Sequence, residues 1–186
     1  MYFRTVRAIS GKWCLARTDS DGIVIHVITT PLLTYRTIDP DADASVAIAN
    51  HWGACVASFG PAAPAHYQGA TAYLNWLRTR VDEYPDGHVL AYLNDECVGQ
   101  LELQVPYGVE TAYINLYHVV DTFRGKGIGR LMHDYVERYA RSWGATKLEL
   151  HVSPTNQRAM GFYRALDYKL VAASDKAHLW RMSKAL

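Results

Sequence analysis

The sequence predicts a mixed α/β domain, and three observations carry that expectation. Short runs rich in β-branched and aromatic residues recur through the chain, as in "IVIHVITT" and "TAYINLYHVV". Apolar residues return at i, i+3, i+4 and i+7 in three longer stretches, strongest over 128–143. Glycine, proline and aspartate clusters separate the two patterns, and the order reads ββ(β)βααβββαβαββ. At 186 residues the chain suits one domain with room for a real core.

The elements follow in order. "YFRTVRAI" is a strand closed by Ser10-Gly11, "WCLARTD" a second closed by "SDG", and "IVIHVITT" a third. After Pro31, "LLTYRTI" is a strand, and Asp39-Pro40-Asp41 offers a helix N-cap. Ile48, Trp52, Cys55, Val56 and Phe59 then mark one helix face, "GPAAPAHYQG" reads as a loop, and Tyr73, Leu77, Val81 and Tyr84 mark a second helix. "HVLAYLNDECVGQLELQV" reads as two strands about an Asn94-Asp95 turn, and "TAYINLYHVV" as a third. The next helix has an apolar face of Ile128, Leu131, Met132, Tyr135, Val136, Tyr139, Ala140 and Trp143. Its opposite face is Arg130, His133, Asp134, Glu137, Arg138 and Arg141, and Gly144 ends it. "TKLELHV" is a strand. Ser153-Pro154 pairs an N-cap with a first-turn proline for a helix reaching about Leu166. "YKLVAAS" and "HLWRMSKA" finish as strands.

Composition narrows the function. Apolar residues make up 49% and charged residues 20%, as in ordinary soluble domains. A net charge of +1 gives no global field for nucleic acid or an anionic membrane, so neither partner is expected. Cys14, Cys55 and Cys97 show no metal or disulfide spacing; free thiols, no metal and a cytoplasmic location are expected. "YFRTVRAISGKW" after Met1 lacks an uninterrupted apolar core, so no signal peptide is expected. No apolar run approaches the ~20 residues that span a bilayer.

The chemistry concentrates at "FRGKGIGRLMHDY". The phosphate loop of nucleotide hydrolases fails here, because Gly127 follows Lys126. The dinucleotide pattern fails too, because its last glycine would fall at Arg130. The pattern that fits is [Q/R]-x-x-G-x-[G/A], with Arg124, Gly127 and Gly129, between a strand and a helix. Such a turn suits an anion. The first helical turn has unpaired N–H groups and the positive dipole end, and glycines let a ligand approach the backbone. Arg124, Lys126 and Arg130 add positive charge, and a pyrophosphate fits.

About thirty residues on comes "SPTNQRAMGFYRALDY", and with it the chain resembles the GNAT superfamily of N-acetyltransferases. The resemblance runs from about residue 32 to the C-terminus and is specific over 119–143 and 146–168. It implies a largely antiparallel central sheet flanked by helices, over a domain of residues 31–186. Residues 1–30 form an N-terminal β extension without counterpart, either an added sheet edge or a dimer arm. It also implies that acetyl-CoA is the co-substrate. Its pyrophosphate would sit on Arg124, Gly125, Lys126, Gly127, Ile128, Gly129 and Arg130. Its pantetheine would lie along Val119 and Val120, with Asn156, Ala159 and Phe162 beside it. Tyr163 would face the thioester sulfur. The family often has Gly before the aromatic residue closing this helix; here Asp167 precedes Tyr168, and Asp tolerates the left-handed conformation at modest cost.

Acetyl transfer to an amine needs a neutral amine, a stabilised carbonyl oxygen and a proton for the sulfur. A lysine-like amine has a pKa of ~10.4, so a base or a water relay must help. Backbone N–H near Val119 suits the oxygen, and the Tyr163 phenol suits the sulfur, although its spacing from Ala159 and Leu166 equally fits a core aromatic. Simple alternation turns Tyr113, Asn115 and Tyr117 one way and Ile114, Leu116 and His118 the other. No acid lies in that strand, so Glu102 next door is a candidate base, against a solvated strand residue. His118, alternating with apolar residues, reads better as a core histidine, and His151 is ambiguous between the two roles. His51, Trp52, Phe59, His66, Tyr67, Tyr73 and Trp76 cluster where the acceptor amine, on a small molecule or a peptide, would enter. A non-catalytic acyl-CoA sensor and a toxin-like aminoacyl-tRNA acetyltransferase are the alternatives, the latter disfavoured by the near-neutral charge.

Overall fold

A computed structural model describes residues 4–9, 12–18, 24–29, 32–106, 108–173 and 179–186, with 4–29 and 172–173 as backbone. The expected order of elements is present. Strands β1 (Arg4–Ile9), β2 (Lys12–Thr18) and β3 (Val24–Thr29) pair antiparallel in a sheet of their own. Then come β4 (Thr34–Thr37), α1 (Ala44–Phe59), a short α2 (Ala63–His66), α3 (Ala70–Glu83), β5 (His88–Leu93), β6 (Glu96–Gln104) and β7 (Thr111–Val119). They are followed by α4 (Ile128–Ser142), β8 (Lys147–Val152), α5 (Gln157–Arg164), β9 (Lys169–Ala173) and β10 (Trp180–Ala185). The seven later strands form one sheet in the order β4-β5-β6-β7-β8-β10-β9. All neighbours are antiparallel except β7 and β8. The main core, including Leu101, Leu103, Ile114, Met132, Val136 and Met160, lies under α4 and α5. A smaller one, of Ile38, Ala47, Tyr73, Leu77 and Leu90, lies on the other face under α1 and α3. Asn94 and Asp95 adopt positive φ in the β5–β6 turn, as a two-residue hairpin requires.

Several local expectations change. The stretch read as a loop contains a 3-10 turn at Gly60–Ala62 and then α2, because Pro61 and Pro64 both occupy first-turn positions where a missing N–H costs nothing. The buried side of α1 is Ala47, Asn50 and Cys55, whereas Trp52 and Val56 point outward. Small residues win there because the helix lies tight on the sheet: a Cβ on Gly53 would stand 2.9 Å from His118 Cε1. Asp39 caps the turn before α1 rather than the helix, accepting from the N–H groups of Asp41 and Ala42 at 2.9 Å. His133 is buried rather than on the polar face of α4, against the rings of Phe162 and Tyr168, while Trp143 is half-exposed. The cap of α5 is Asn156, whose Oδ1 accepts from Ala159 N–H at 3.1 Å; Ser153 is spent on Thr155.

One irregularity shapes the site. Leu101 lies opposite Tyr117 and Glu102 opposite Leu116, but Leu103 lies opposite Ile114, so Asn115 is an unpaired bulge residue. The bulge breaks the alternation expected of this strand. Ile114 and Tyr117 share the α4 side, and Tyr113, Leu116 and His118 share the α1 side. The β7–β8 ladder ends at the same point, with Ile114 opposite Leu150.

Candidate active site

Where β7 and β8 part, a cavity of about 890 Å³ opens, lined by residues 114–119 of β7 and 150–152 of β8. Its other walls are the glycine loop, α5 and the inner side of α1. Val120 N–H bonds Val98 O at 2.9 Å across to β6. By antiparallel alternation the main-chain groups of Tyr117 and Val119 turn away from β6, toward the gap. Val119 therefore borders the cavity with its backbone and side chain, while Val120 is committed to the sheet.

The loop is built for close approach. Gly125 and Gly127 take φ of 74° and 83°, conformations that glycine adopts freely. A Cβ on Gly125 would meet nothing within 4 Å, so open space lies before it. Gly127 caps α4, whose first closing bond is Leu131 N–H to Gly127 O at 3.2 Å. The N–H groups of Ile128, Gly129 and Arg130 thus have no intrahelical acceptor. The Ile128 side chain is fully buried, so only its N–H is available. Arg124 donates from Nε to Val119 O at 2.8 Å and pairs with Asp121 at 2.6 Å, tying the loop to the strand. Lys126 lies over the Phe123 ring and outside the cavity wall, whereas Arg130 and Arg158 are on it. Gly129 abuts α5: a Cβ there would stand 3.2 Å from the Phe162 ring.

Two tyrosines face the middle of the cavity, with different commitments. Tyr117 donates its hydroxyl hydrogen to Gly129 O, pinning the helix start to β7. Tyr163 is nearly buried, packed among Tyr117, Phe162 and Tyr168, and its hydroxyl has no hydrogen-bond partner among the described residues. Burial pushes its pKa upward, so it holds its proton at neutral pH. Asn156, Ala159 and Phe162 complete the α5 wall, with the amide N–H₂ of Asn156 left over from capping.

Glu102 is buried rather than solvated. Tyr73 donates to it at 2.6 Å and Gln100 at 2.8 Å, and burial pushes its pKa up to about 7 against the pull of those two bonds. It lies behind the cavity wall. Tyr73 stands between it and His51, a wall residue whose ring stacks on Tyr73 at 4.0 Å. His118 is buried, as the sequence suggested, but also borders the cavity, and His151, ambiguous from sequence, borders it too. Burial, assisted by Arg124, lowers His118 to about 4. His151 is bonded through Nδ1 to the Tyr113 hydroxyl. The bulge that turns Tyr113 and His118 to the same side carried no sequence signal. Trp52 and Trp76 are not on the wall, whereas Phe59 and His66 are. Among the described residues no cluster of three metal-ligating side chains occurs, and no helix is long and apolar enough to cross a membrane.

The chain matches the acetyltransferase (GNAT) family over residues 52–168. It is 34% identical over 59 residues to the uncharacterized N-acetyltransferase YdgE of Bacillus subtilis (strain 168), a match covering 32% of this chain and 38% of that relative. Less than half of the relative's length is thus represented. The structure of PaiA N-acetyltransferase from Thermoplasma acidophilum in complex with coenzyme A superposes with a TM-score of 0.68 at 16% identity, covering 83% of this chain and 99% of that one. Spermidine N-acetyltransferase from Vibrio cholerae, in complex with CoA and spermine, does so at 0.65 and 15% identity, covering 82% and 95%. At such identities the structural likeness concerns the fold alone. With the family matched across the glycine loop and through α5, the chain belongs to the acetyltransferase (GNAT) family, a family of acyltransferase enzymes.

Proposed function

We propose that this chain is an acetyl-CoA-dependent N-acetyltransferase that acetylates a primary amine of a small molecule or peptide by direct attack in a ternary complex. The observation that carries the reading is Tyr163, whose hydroxyl has no hydrogen-bond partner among the described residues, on the wall of a cavity that reaches a helix N-terminus whose first N–H groups lack an intrahelical acceptor. The residues fit acetyl-CoA: open space before Gly125 and the N–H groups of 128–130 suit a pyrophosphate, and the inward backbone of Tyr117 and Val119 suits pantetheine amides. Asn156, Ala159 and Phe162 flank that path. Acetyl-CoA supplies the activated acetyl thioester. Tyr163 holds a proton for the departing sulfur, and an N–H from Tyr117 or Val119 stabilises the developing oxyanion. Glu102 acts from behind Tyr73, as a buried carboxyl that takes up charge near pH 7 without touching the amine. We read residues 1–30 as an extension to this domain, with homodimerisation as its role.

A thiol-release screen with acetyl-CoA against a panel of amines tests the activity. Amine-dependent release supports transfer. Tight acetyl-CoA binding without any amine-dependent release would instead make the chain an acyl-CoA sensor.

A further inference from the structure

Resting on that reading of the site, we infer that the acceptor is a primary monoamine with a planar aromatic body and no second cationic centre. The wall chemistry carries this. Among the described residues no aspartate or glutamate lines the cavity, while Arg124, Arg130 and Arg158 do. Near α1 and α3, Asp43 pairs with Arg36 at 2.7 Å, Asp41 with Arg78 at 2.6 Å and Glu83 with Arg80 at 2.5 Å, and neither these acids nor Asp39 and Asp82 lie on the cavity wall. Glu149 on β8 pairs with Lys147 at 2.9 Å, and Glu102 is sealed under Tyr73 and Gln100. A polyamine entering this cavity would bring a second ammonium with no carboxylate on the wall to replace its water.

The α1 wall is instead planar. His51 stacks on Tyr73 at 4.0 Å, and Phe59 stacks on His66 at 3.9 Å with planes 17° apart. His51, Phe59 and His66 all face the cavity. Rings fixed by stacking offer flat apolar surface at little entropic cost, which favours another flat body. His51 Nδ1 is buried with no hydrogen-bond partner among the described residues. Burial favours the neutral form of that ring, so His51 adds apolar, uncharged surface to this wall. Aromatic body against the His51, Phe59 and His66 rings, with the amine toward the thioester end, is the arrangement that uses this wall.

Titration calorimetry of amines into the CoA-saturated protein tests this independently of turnover. 2-Phenylethylamine is expected to bind at least about tenfold more tightly than spermidine. Phe59→Ala is expected to weaken 2-phenylethylamine by about fivefold or more while leaving CoA affinity unchanged, which also reports that the variant is folded. Spermidine binding equally or more tightly, no binding of either amine, or an unchanged 2-phenylethylamine affinity in a folded Phe59→Ala protein would each overturn the inference. Selective amine binding without thiol release from acetyl-CoA would support it while sinking the transferase reading. Release driven by spermidine ahead of 2-phenylethylamine would do the reverse.

Discussion

Tyr73 donates its hydroxyl hydrogen to Glu102 at 2.6 Å, joining α3 to β6 through a carboxyl with almost no access to solvent. This bond and the one from Gln100 are what make an ionised Glu102 tolerable, yet burial outweighs them and leaves the group near 7 rather than 4.5. Below the ordinary value the carboxyl is neutral in the folded and unfolded chains alike and has no effect on stability. As pH rises to the folded value the unfolded chain ionises first, so stability falls across pH 4.5 to 7. The full loss is on the order of 3 kcal/mol. Glu102→Gln is expected to flatten this slope and to be the more stable protein at pH 8, as urea melts at pH 5 and pH 8 would show. Wild-type pH dependence in the variant would mean that Glu102 ionises freely.

Tyr163→Phe removes one hydroxyl and keeps the packed ring. We expect kcat to fall toward the low end of the ~10²–10⁴-fold range of general acid–base help, because a thiolate with a pKa of ~8.5 leaves fairly well unaided. KM and acetyl-CoA affinity should hold. Steady-state kinetics beside a melting curve decide it: a shifted melting temperature with intact kcat identifies a core tyrosine instead.

Gly127→Val forces a β-branched residue to φ of 83° at the head of α4, a strain of about 1–2 kcal/mol or more. It also sets a branched side chain beside the free N–H groups. Acetyl-CoA affinity is expected to drop at least about tenfold in a protein that still folds. Calorimetry returning the wild-type affinity would place the pyrophosphate elsewhere.

Gly129 and Phe162 should behave as a coupled pair. Gly129→Ala brings a Cβ to 3.2 Å from the Phe162 ring and is expected to cost about 1 kcal/mol. Adding Phe162→Leu opens that contact, so the double variant should lose less than the sum of the singles by about 0.5 kcal/mol or more. Strict additivity in denaturant melts would show that the ring moves aside freely.

Deletion of residues 1–30 is expected to leave acetyl-CoA affinity within about twofold of the full chain while changing the mass seen by light scattering. Lost cofactor binding in a folded truncation would join the extension to the site.

The legible part of this molecule was whatever is written as local pattern. The glycines at 125, 127 and 129, the stripe through Met132 and Val136, and the Asn94-Asp95 turn each report a backbone requirement at their own positions. Asp167 does so too, with φ of 67° where a glycine is commoner. The illegible part depends on distant neighbours. His133 is polar by type and becomes core only because α5 and Tyr168 cover it. Trp52 and Val56 read as a buried face, yet Gly53 and Ala47 pack better against a sheet surface bearing His118 and Gln100. Glu102 looks like any strand acid until Tyr73 closes over it. Nothing in "AYINLYH" announces that Asn115 is unpaired, because the extra residue exists only relative to β6.

That unpaired residue gives β7 two phases. Up to Ile114 the strand keeps step with β8, and beyond Asn115 it is displaced by one place relative to β6, so the odd-numbered tyrosines at 113 and 117 end on opposite faces. Chain length at this point is therefore a setting in its own right. Exchanging the exposed Asn115 for another side chain leaves the count intact, whereas removing it would slide one half of the strand against the other. Tyr117 would then leave Gly129, or Tyr113 would leave His151, with every flanking residue chemically unchanged.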